Sequence, residues 1–476
     1  MTSPVPASTE IYDLTHMGCG DIRINSLLRV QDLSGVIPTF HTIKPLQSGY
    51  TENGCTLYLP HSYFVDGDIM YVPGIEIFNQ MNEGAFGKIF KGRRTIYVQN
   101  GTNDDGTASL IQVSESHQIC IKSVSISLYG KEARATPEAR SAYLTETIQY
   151  LIHEAFIHSL IQNALSRAGF PNVVPKMYEI LAVTHTGDIQ QLTNSTDIKE
   201  IWITMDVLNG KTLDRYLRRK LTRLPTKHKR SPLQCLKQKE NEQILLDVWF
   251  QLACYLHILQ EKLRFNHRDM KIDNAFWRYH PHRENWKRNI FVPGTGTWKC
   301  KHDFVLIDFG FGCLSQGAAC PDPLSTLLSA SSSFPTSSPC MKYGRDMAQF
   351  LYCIHSYFPL HEYISRELFD VLDLATRIQE TDNFGNTIHT YKLLAGIEEN
   401  GRPSPIHTRD PLPTKVSFSE GIYTLLQRQE IDIPGCRPIT FLQTLAKYAI
   451  RYTDSFVPDT TIGCMKNLKP LKIEVR

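Results

Sequence analysis

The sequence has no apolar run approaching the roughly 18–20 residues that a membrane-crossing helix needs. Its first residues, MTSPVPASTEIYDL, lack a basic stretch followed by an apolar one, so no secretory signal is expected. Thr2 follows Met1, so the glycine required for myristoylation is missing. The formal net charge is only +3, which does not point to nucleic acid. The twelve cysteines form no CxxC pair. Cys313 and Cys320 are the nearest couple, and no histidine stands beside them at ligand spacing. Free thiols in a reducing compartment are expected, with a structural zinc site as the alternative. These absences predict an intracellular chain, cytoplasmic or nuclear, with no membrane partner. Charged residues at 21% and hydrophobic ones at 42% are ordinary for a globular protein, and 476 residues suffice for more than one core.

The pattern changes along the chain. Short strand-like pieces such as CTLYL (55–59) occupy residues 1–70. From Tyr71 to about Leu208, β-like runs recur at Lys88 to Phe90, Thr95 to Val98, Gln118 to Lys122 and Ile201 to Val207. One helical pattern interrupts them at about 141–166. After Asn209, amphipathic helices are predicted at about 242–263, 345–358, 361–379 and 439–452. A β-rich part followed by a helix-rich part predicts an α+β chain of two lobes.

The segment FNHRDMKIDNAFW (265–277) sets two acids, three bases and two amides between apolar residues. Polar groups so bracketed are held at fixed positions rather than solvated. Phosphoryl transfer needs a carboxylate to take the proton of an attacking hydroxyl, and oxygen ligands for Mg²⁺. Asp269 suits the first task, the Asn274 amide the second, and Lys271 reaches a γ-phosphate. Upstream, NEGAFGKIF (82–90) places Gly84 and Gly87 in a strand–turn–strand pattern, where the backbone can approach phosphate oxygens. Downstream, FVLIDFGFG (304–312) is an apolar strand ending in Asp308.

HRDMKIDN matches H-R-D-x-x-x-x-N, and with the glycine loop, the QICIK strand (118–122) and Asp308-Phe309-Gly310 the chain resembles eukaryotic-type protein kinases. The resemblance implies a bilobal kinase-like fold: an N-terminal extension at 1–70, a β-rich N-lobe at 71–207 and a mainly helical C-lobe at 208–476. It implies ATP and Mg²⁺ as cofactors. Asp269 would be the catalytic base, assisted by Lys271 and Arg268, and Asn274 and Asp308 would bind the metal. Lys122 would reach the α- and β-phosphates, held by Glu154, with Glu146 as the rival. Met205 would be the gatekeeper, and Asp206 to Leu208 would offer backbone groups to adenine, with Ile89 and Cys120 covering one face of the base. Phe309 would pack beneath Asp308, and Asp346 would brace the catalytic loop. Lys271 favours a protein substrate with a Ser or Thr acceptor. The alternatives are a pseudokinase scaffold and a small-molecule kinase of the aminoglycoside or choline type. The latter generally lack the equivalents of Arg268 and Gly310.

The sequence also departs from that pattern. Asn82 stands where the loop's first glycine is expected. A polar stretch precedes Lys122 and another separates Asn274 from Asp308; both are expected to be hairpins or surface loops. No A-P-E follows Asp308. A serine-rich stretch, DPLSTLLSASSSFPTSSP (322–339), takes its place, and Ser315, Ser325, Thr326, Ser329, Ser331, Ser332 and Ser333 are candidate phosphate acceptors facing Arg268. Residues 360–476 align with no usual kinase helices. Such divergence resembles kinases encoded by large DNA viruses, which would place the protein in a host cell or virion. The basic run at 215–239 reads as a solvated face, or as a docking site for an acidic substrate, a nuclear-import signal or a nucleic acid contact.

Overall fold

The computed structural model describes residues 39–50, 56–60, 64–66, 69–84, 87–102, 108–126, 136–184, 198–225, 231–280, 286, 288–315, 327–329, 342–381, 387–394, 397–398 and 433–459. It is an α+β chain of antiparallel sheets and helices that divides into two compact units. The first comprises Met1–Asn163 and Pro175–Leu208; the second comprises Ala164–Val174 and Asn209–Arg476. Among the described residues no helix is long and apolar enough to cross a membrane.

The first unit holds a nine-stranded sheet and one long helix. The strands are β1 (Thr39–Tyr50), β2 (Thr56–Pro60), β3 (Phe64–Asp66), β4 (Ile69–Gly84), β5 (Gly87–Thr102), β6 (Ala108–Gln112), β7 (His117–Ser125), β8 (Met177–Thr184) and β9 (Ile198–Asp206). Their order is β3-β4-β2-β1-β8-β9-β7-β5-β6, and an additional β4–β5 pairing closes a circuit through seven of them. All pairings are antiparallel except β1 with β8. The division has no break at residue 70: β1 to β3 belong to this sheet rather than to a separate extension. The polar stretch before Lys122 is an extended hairpin of β5 and β6, with Tyr97 opposite Gln112. Alternation sends Ile119, Ile121, Trp202, Leu181, Val183 and Ile75 into one core cluster. Helix α1 (Pro137–Arg167) carries Ala155, Ile157 and Ile161 fully buried.

In the second unit, helix α2 (Leu213–Lys220) precedes α3 (Pro232–Leu263). Ser231 starts α3 with a capping box shared with Gln234, and Pro232 occupies its first turn. The apolar spacing predicts a one-sided helix, yet α3 is buried on every face from Ile244 to Leu256. A helix apolar all round is a central one. Each fully buried Leu or Phe on it contributes about 1.5–3 kcal/mol. Its polar residues are consumed by later parts of the chain. Asp247 accepts from Trp298 Nε1 (2.8 Å), the Lys301 amide (2.9 Å) and the His302 amide (3.0 Å). Glu242 accepts from the Ser365 amide (2.5 Å) and from the hydroxyls of Tyr448 and Tyr452.

Strands β10 (Gly210–Thr212), β11 (Ala275–Arg278) and β14 (Asp303–Leu306) form one small sheet. The stretch between Asn274 and Asp308 contains the hairpin of β12 (Arg288–Val292) and β13 (Gly296–Cys300). β20 (Phe456–Pro458) adds to β13. Gly296 permits this approach: its φ is +153° and a Cβ there would meet the Val457 carbonyl at 2.4 Å. β15 (Cys313–Ser315) pairs with β16 (Leu327–Ser329), and β17 (Arg377–Thr381), β18 (Thr387–Lys392) and β19 (Ile397–Glu398) form a further sheet. Helices α4 (Arg345–Tyr357), α5 (Arg366–Ala375) and α6 (Pro438–Ala449) complete the unit. α5 is shorter than the predicted 361–379. Leu360–Glu362 is a 3-10 turn, and Ser365 caps the Leu368 amide.

Cys313 corrects the expectation of free thiols: it is disulfide-bonded. Cys120, Cys235, Cys254, Cys300, Cys353 and Cys436 are free.

Candidate functional site

In the first unit, the register of β5, β7 and β9 decides which residues share a face. Ile89 lies opposite Lys122 and Lys91 opposite Cys120. Lys122 lies opposite Ile203 and Cys120 opposite Met205. Directly paired residues point the same way, and so do residues two apart along a strand. Ile89, Cys120, Lys122 and Met205 therefore line one face. Burial pushes the Cys120 thiol up to about 11. From α1, Glu154 reaches Lys122, with Nζ to Oε1 at 2.5 Å. Both are nearly buried, at 9% and 7% exposed. The rival Glu146 has a side chain outside the described residues.

β4 and β5 converge where Gly84 pairs with Gly87, with a bulge between Gln80 and Asn82. Gly87 has φ +136°, and a Cβ there would meet the Ser123 carbonyl at 2.3 Å, so only glycine fits. Ala85 and Phe86, the loop tip, lie outside the described residues. Asp206 is opposite Ile119, hence on the other face of the sheet. Its carboxylate takes the Tyr178 hydroxyl and the Lys176 amide, and its own N–H donates to the Lys176 carbonyl (2.8 Å). The Asp206 N–H and side chain are thus committed within the unit. Leu208 is half-buried at the unit's last residue.

In the second unit, α3 ends in Arg264 with left-handed backbone, φ +47°. The chain then enters the 265–274 loop. Asp346, fully buried at the start of α4, accepts from the His267 amide (2.8 Å), the Arg268 amide (2.9 Å) and Asn266 Nδ2 (3.1 Å). It is the brace expected from the sequence. Three donors on one carboxylate fix the loop's peptide planes. Arg268 holds φ +64° and is almost fully buried. Burial first, then Arg345, disfavours its charge, and Asp346 opposes them. A guanidinium so placed still carries its proton at neutral pH.

The loop presents one compact cluster. Lys271 Nζ lies 2.6 Å from Asp269 Oδ2. Asn274 Nδ2 donates to the Asp269 carbonyl and to Asp269 Oδ2, both at 2.9 Å. Two acceptors on that side fix the amide orientation and turn Oδ1 away from Asp269. Burial disfavours the Lys271 ammonium, but Asp269, Asp308 and Asp273 together hold its pKa above the ordinary value.

Ala275 pairs with Leu306 across β11 and β14, and the Ile307 amide donates to the Asn274 carbonyl (3.1 Å). This ladder brings Asn274 and Asp308 to neighbouring ends of two strands. Asp308 sits at φ +61°, a conformation uncommon outside glycine, Asn and Asp. Phe309 is fully buried, its ring 5.4 Å from that of His267 and 6.2 Å from that of Phe265. Among the described residues no group of three or more His, Cys, Asp or Glu converges as a metal cage. An amide oxygen and a carboxylate at one rim form a hard-oxygen pair. That pair fits a cation which takes its remaining ligands from water and phosphate, as Mg²⁺ does.

Sequence reasoning missed Asn266, whose signal was a polar residue immediately before His267. Of the phosphate-acceptor candidates, Ser315 and Ser329 lie in β15 and β16 by their backbone; Ser325, Thr326, Ser331, Ser332 and Ser333 lie outside the described residues. Compared with models of known protein families and with curated proteins, the chain matches none.

Proposed function

We propose that the chain is an ATP-dependent serine/threonine protein kinase of bilobal, protein-kinase-like fold. The observation carrying this reading is the Asp269–Lys271–Asn274 cluster, joined through the β11–β14 ladder to Asp308 and hung on Asp346. In this reading Asp269 accepts the proton of a Ser or Thr hydroxyl as its oxygen forms a bond to the γ-phosphorus. The bond from that phosphorus to the ADP oxygen breaks. Lys271 holds the Asp269 carboxylate in place and offsets negative charge near the transferred group. Asn274 and Asp308 would hold Mg²⁺, which when bound neutralises charge on the β- and γ-phosphates. Lys122, fixed by Glu154, supplies a cation to the α- and β-phosphates, and the Gly84–Gly87 turn supplies close backbone approach. The partner is a protein substrate inside a cell.

Incubation of the purified chain with labelled ATP, Mg²⁺ and casein or a basic protein tests this directly. Label on Ser or Thr that disappears in Asp269→Asn is expected. Absence of transfer from the parent under these conditions, or equal transfer by the variant, would overturn the reading.

A further inference from the structure

We infer that Asn266 is a positioning residue that clamps both ends of the segment between Cys313 and Lys342 onto the loop bearing Asp269. The effect on transfer rests on the kinase reading; the clamp itself does not. Asn266 is fully buried and every polar group it owns is engaged. Its N–H donates to the Cys313 carbonyl (3.0 Å), and its carbonyl accepts from the Cys313 N–H (2.9 Å). Its side-chain Oδ1 accepts from the Lys342 N–H (2.5 Å). Its Nδ2 donates to the Lys342 carbonyl and to Asp346 Oδ2, each at 3.1 Å.

Position in the chain gives these bonds their meaning. Cys313 follows Asp308 by five residues, and Lys342 lies just before the helix that carries Asp346. Both ends are therefore held by one residue, Cys313 through the Asn266 main chain and Lys342 through its side chain. Closing a long loop opposes folding entropically, and the closure must be held by specific bonds. Only a carboxamide of this length offers both an acceptor and two donors at the same place. Aspartate would keep the acceptor, lose both donors and set a carboxylate against Asp346. Serine would not reach Lys342. Serine leaves both buried Lys342 peptide groups unmatched, whereas aspartate strands the Lys342 carbonyl and its repulsion from Asp346 draws its oxygen off the Lys342 N–H. Either change also removes one of the three donors that hold Asp346, so the brace on His267 and Arg268 loosens and Asp269 loses definition.

The test compares Asn266→Asp and Asn266→Ser with the parent, under reductant so that the Cys313 disulfide is open in all three. Hydrogen exchange of the Lys342 amide is expected to accelerate at least about tenfold, with the Cys313 amide, held by the Asn266 main chain, and the Trp249 amide in α3 changing much less. With casein as acceptor, kcat is expected to fall about 10–100-fold, with the KM for ATP within about twofold of the parent. Unchanged exchange at Lys342 would overturn the clamp. So would uniform acceleration at all three amides, the mark of a residue that only stabilises the fold. If one variant does not fold, the other decides by the same measurements. A parent without transfer activity would overturn the kinase reading, while the exchange comparison would still decide the clamp.

Discussion

Lys122 and Glu154 meet at 2.5 Å, one on a central strand and the other on the helix α1, with almost no solvent on either. A buried pair of this kind stabilises little net of desolvation, but removing one partner strands the other. Lys122→Met should therefore cost about 3–5 kcal/mol in urea unfolding. Lys122→Met combined with Glu154→Met should recover most of that loss, because both charges are then gone. Neither variant should bind ATP like the parent. If the double variant binds ATP normally, the pair is structural only.

Asp269→Asn should retain the fold, since Asn fills the same volume beside Lys271 and Asn274, at a cost of about 1–3 kcal/mol. Phosphate transfer should fall about 10²–10⁴-fold, the usual worth of a positioned proton acceptor. Turnover at the parent's rate would remove Asp269 from the chemistry.

For the metal, Asp308→Asn is the informative change. Alanine at φ +61° would add backbone strain, whereas Asn tolerates that region. Mg²⁺ should then add no thermal stabilisation beyond that given by ATP alone, because the carboxylate is lost. Equal Mg·ATP stabilisation in variant and parent would contradict the assignment.

The Cys120 thiol provides a pH test. Burial raises its pKa to about 11, so the neutral thiol dominates below that value and the reactive thiolate is scarce. Iodoacetamide at pH 8 should label exposed Cys235 and leave Cys120 intact, as read by mass spectrometry. Cys120 labelling should climb about tenfold per pH unit towards pH 11 while the fold persists. Rapid modification of Cys120 at pH 8 would mean that this face of the sheet is open to solvent.

The candidate site residues were legible because their signals are local. HRDMKIDN fits inside one loop, and the apolar run before Asp308 announces a strand end. Lys122 and Glu154 could be paired because a strand and a helix each carry their own period. The brace at Asp346 was legible from KYGRDMAQFLYCI. Less was legible where contact is distant. Nothing near residue 40 signals that β1 will lie parallel to β8. Cys313 has no neighbour at telling spacing, so its disulfide was not foreseen. Helix α5 was drawn too long because apolar spacing runs on through the 3-10 turn at Leu360–Glu362. Asn266 was overlooked because its partners, Cys313 and Lys342, lie far along the chain.

The dependence of α3 on distant residues bears on the order of events at the ribosome. Glu242 and Asp247 emerge early, yet the hydroxyls of Tyr448 and Tyr452 that satisfy Glu242 come from the far end of the chain. β13 likewise waits for β20. At ordinary synthesis rates the gap is roughly 10–40 s. Throughout it, Glu242 Oε1 has its Gln238 donor but Oε2 is still without its tyrosine partners, and one edge of the β12–β13 hairpin is bare. The second unit therefore completes its fold only once Tyr452 and β20 have been synthesised. Nascent chains stalled before Tyr448 should be held by chaperones or removed by proteases, whereas chains released after Pro458 should not.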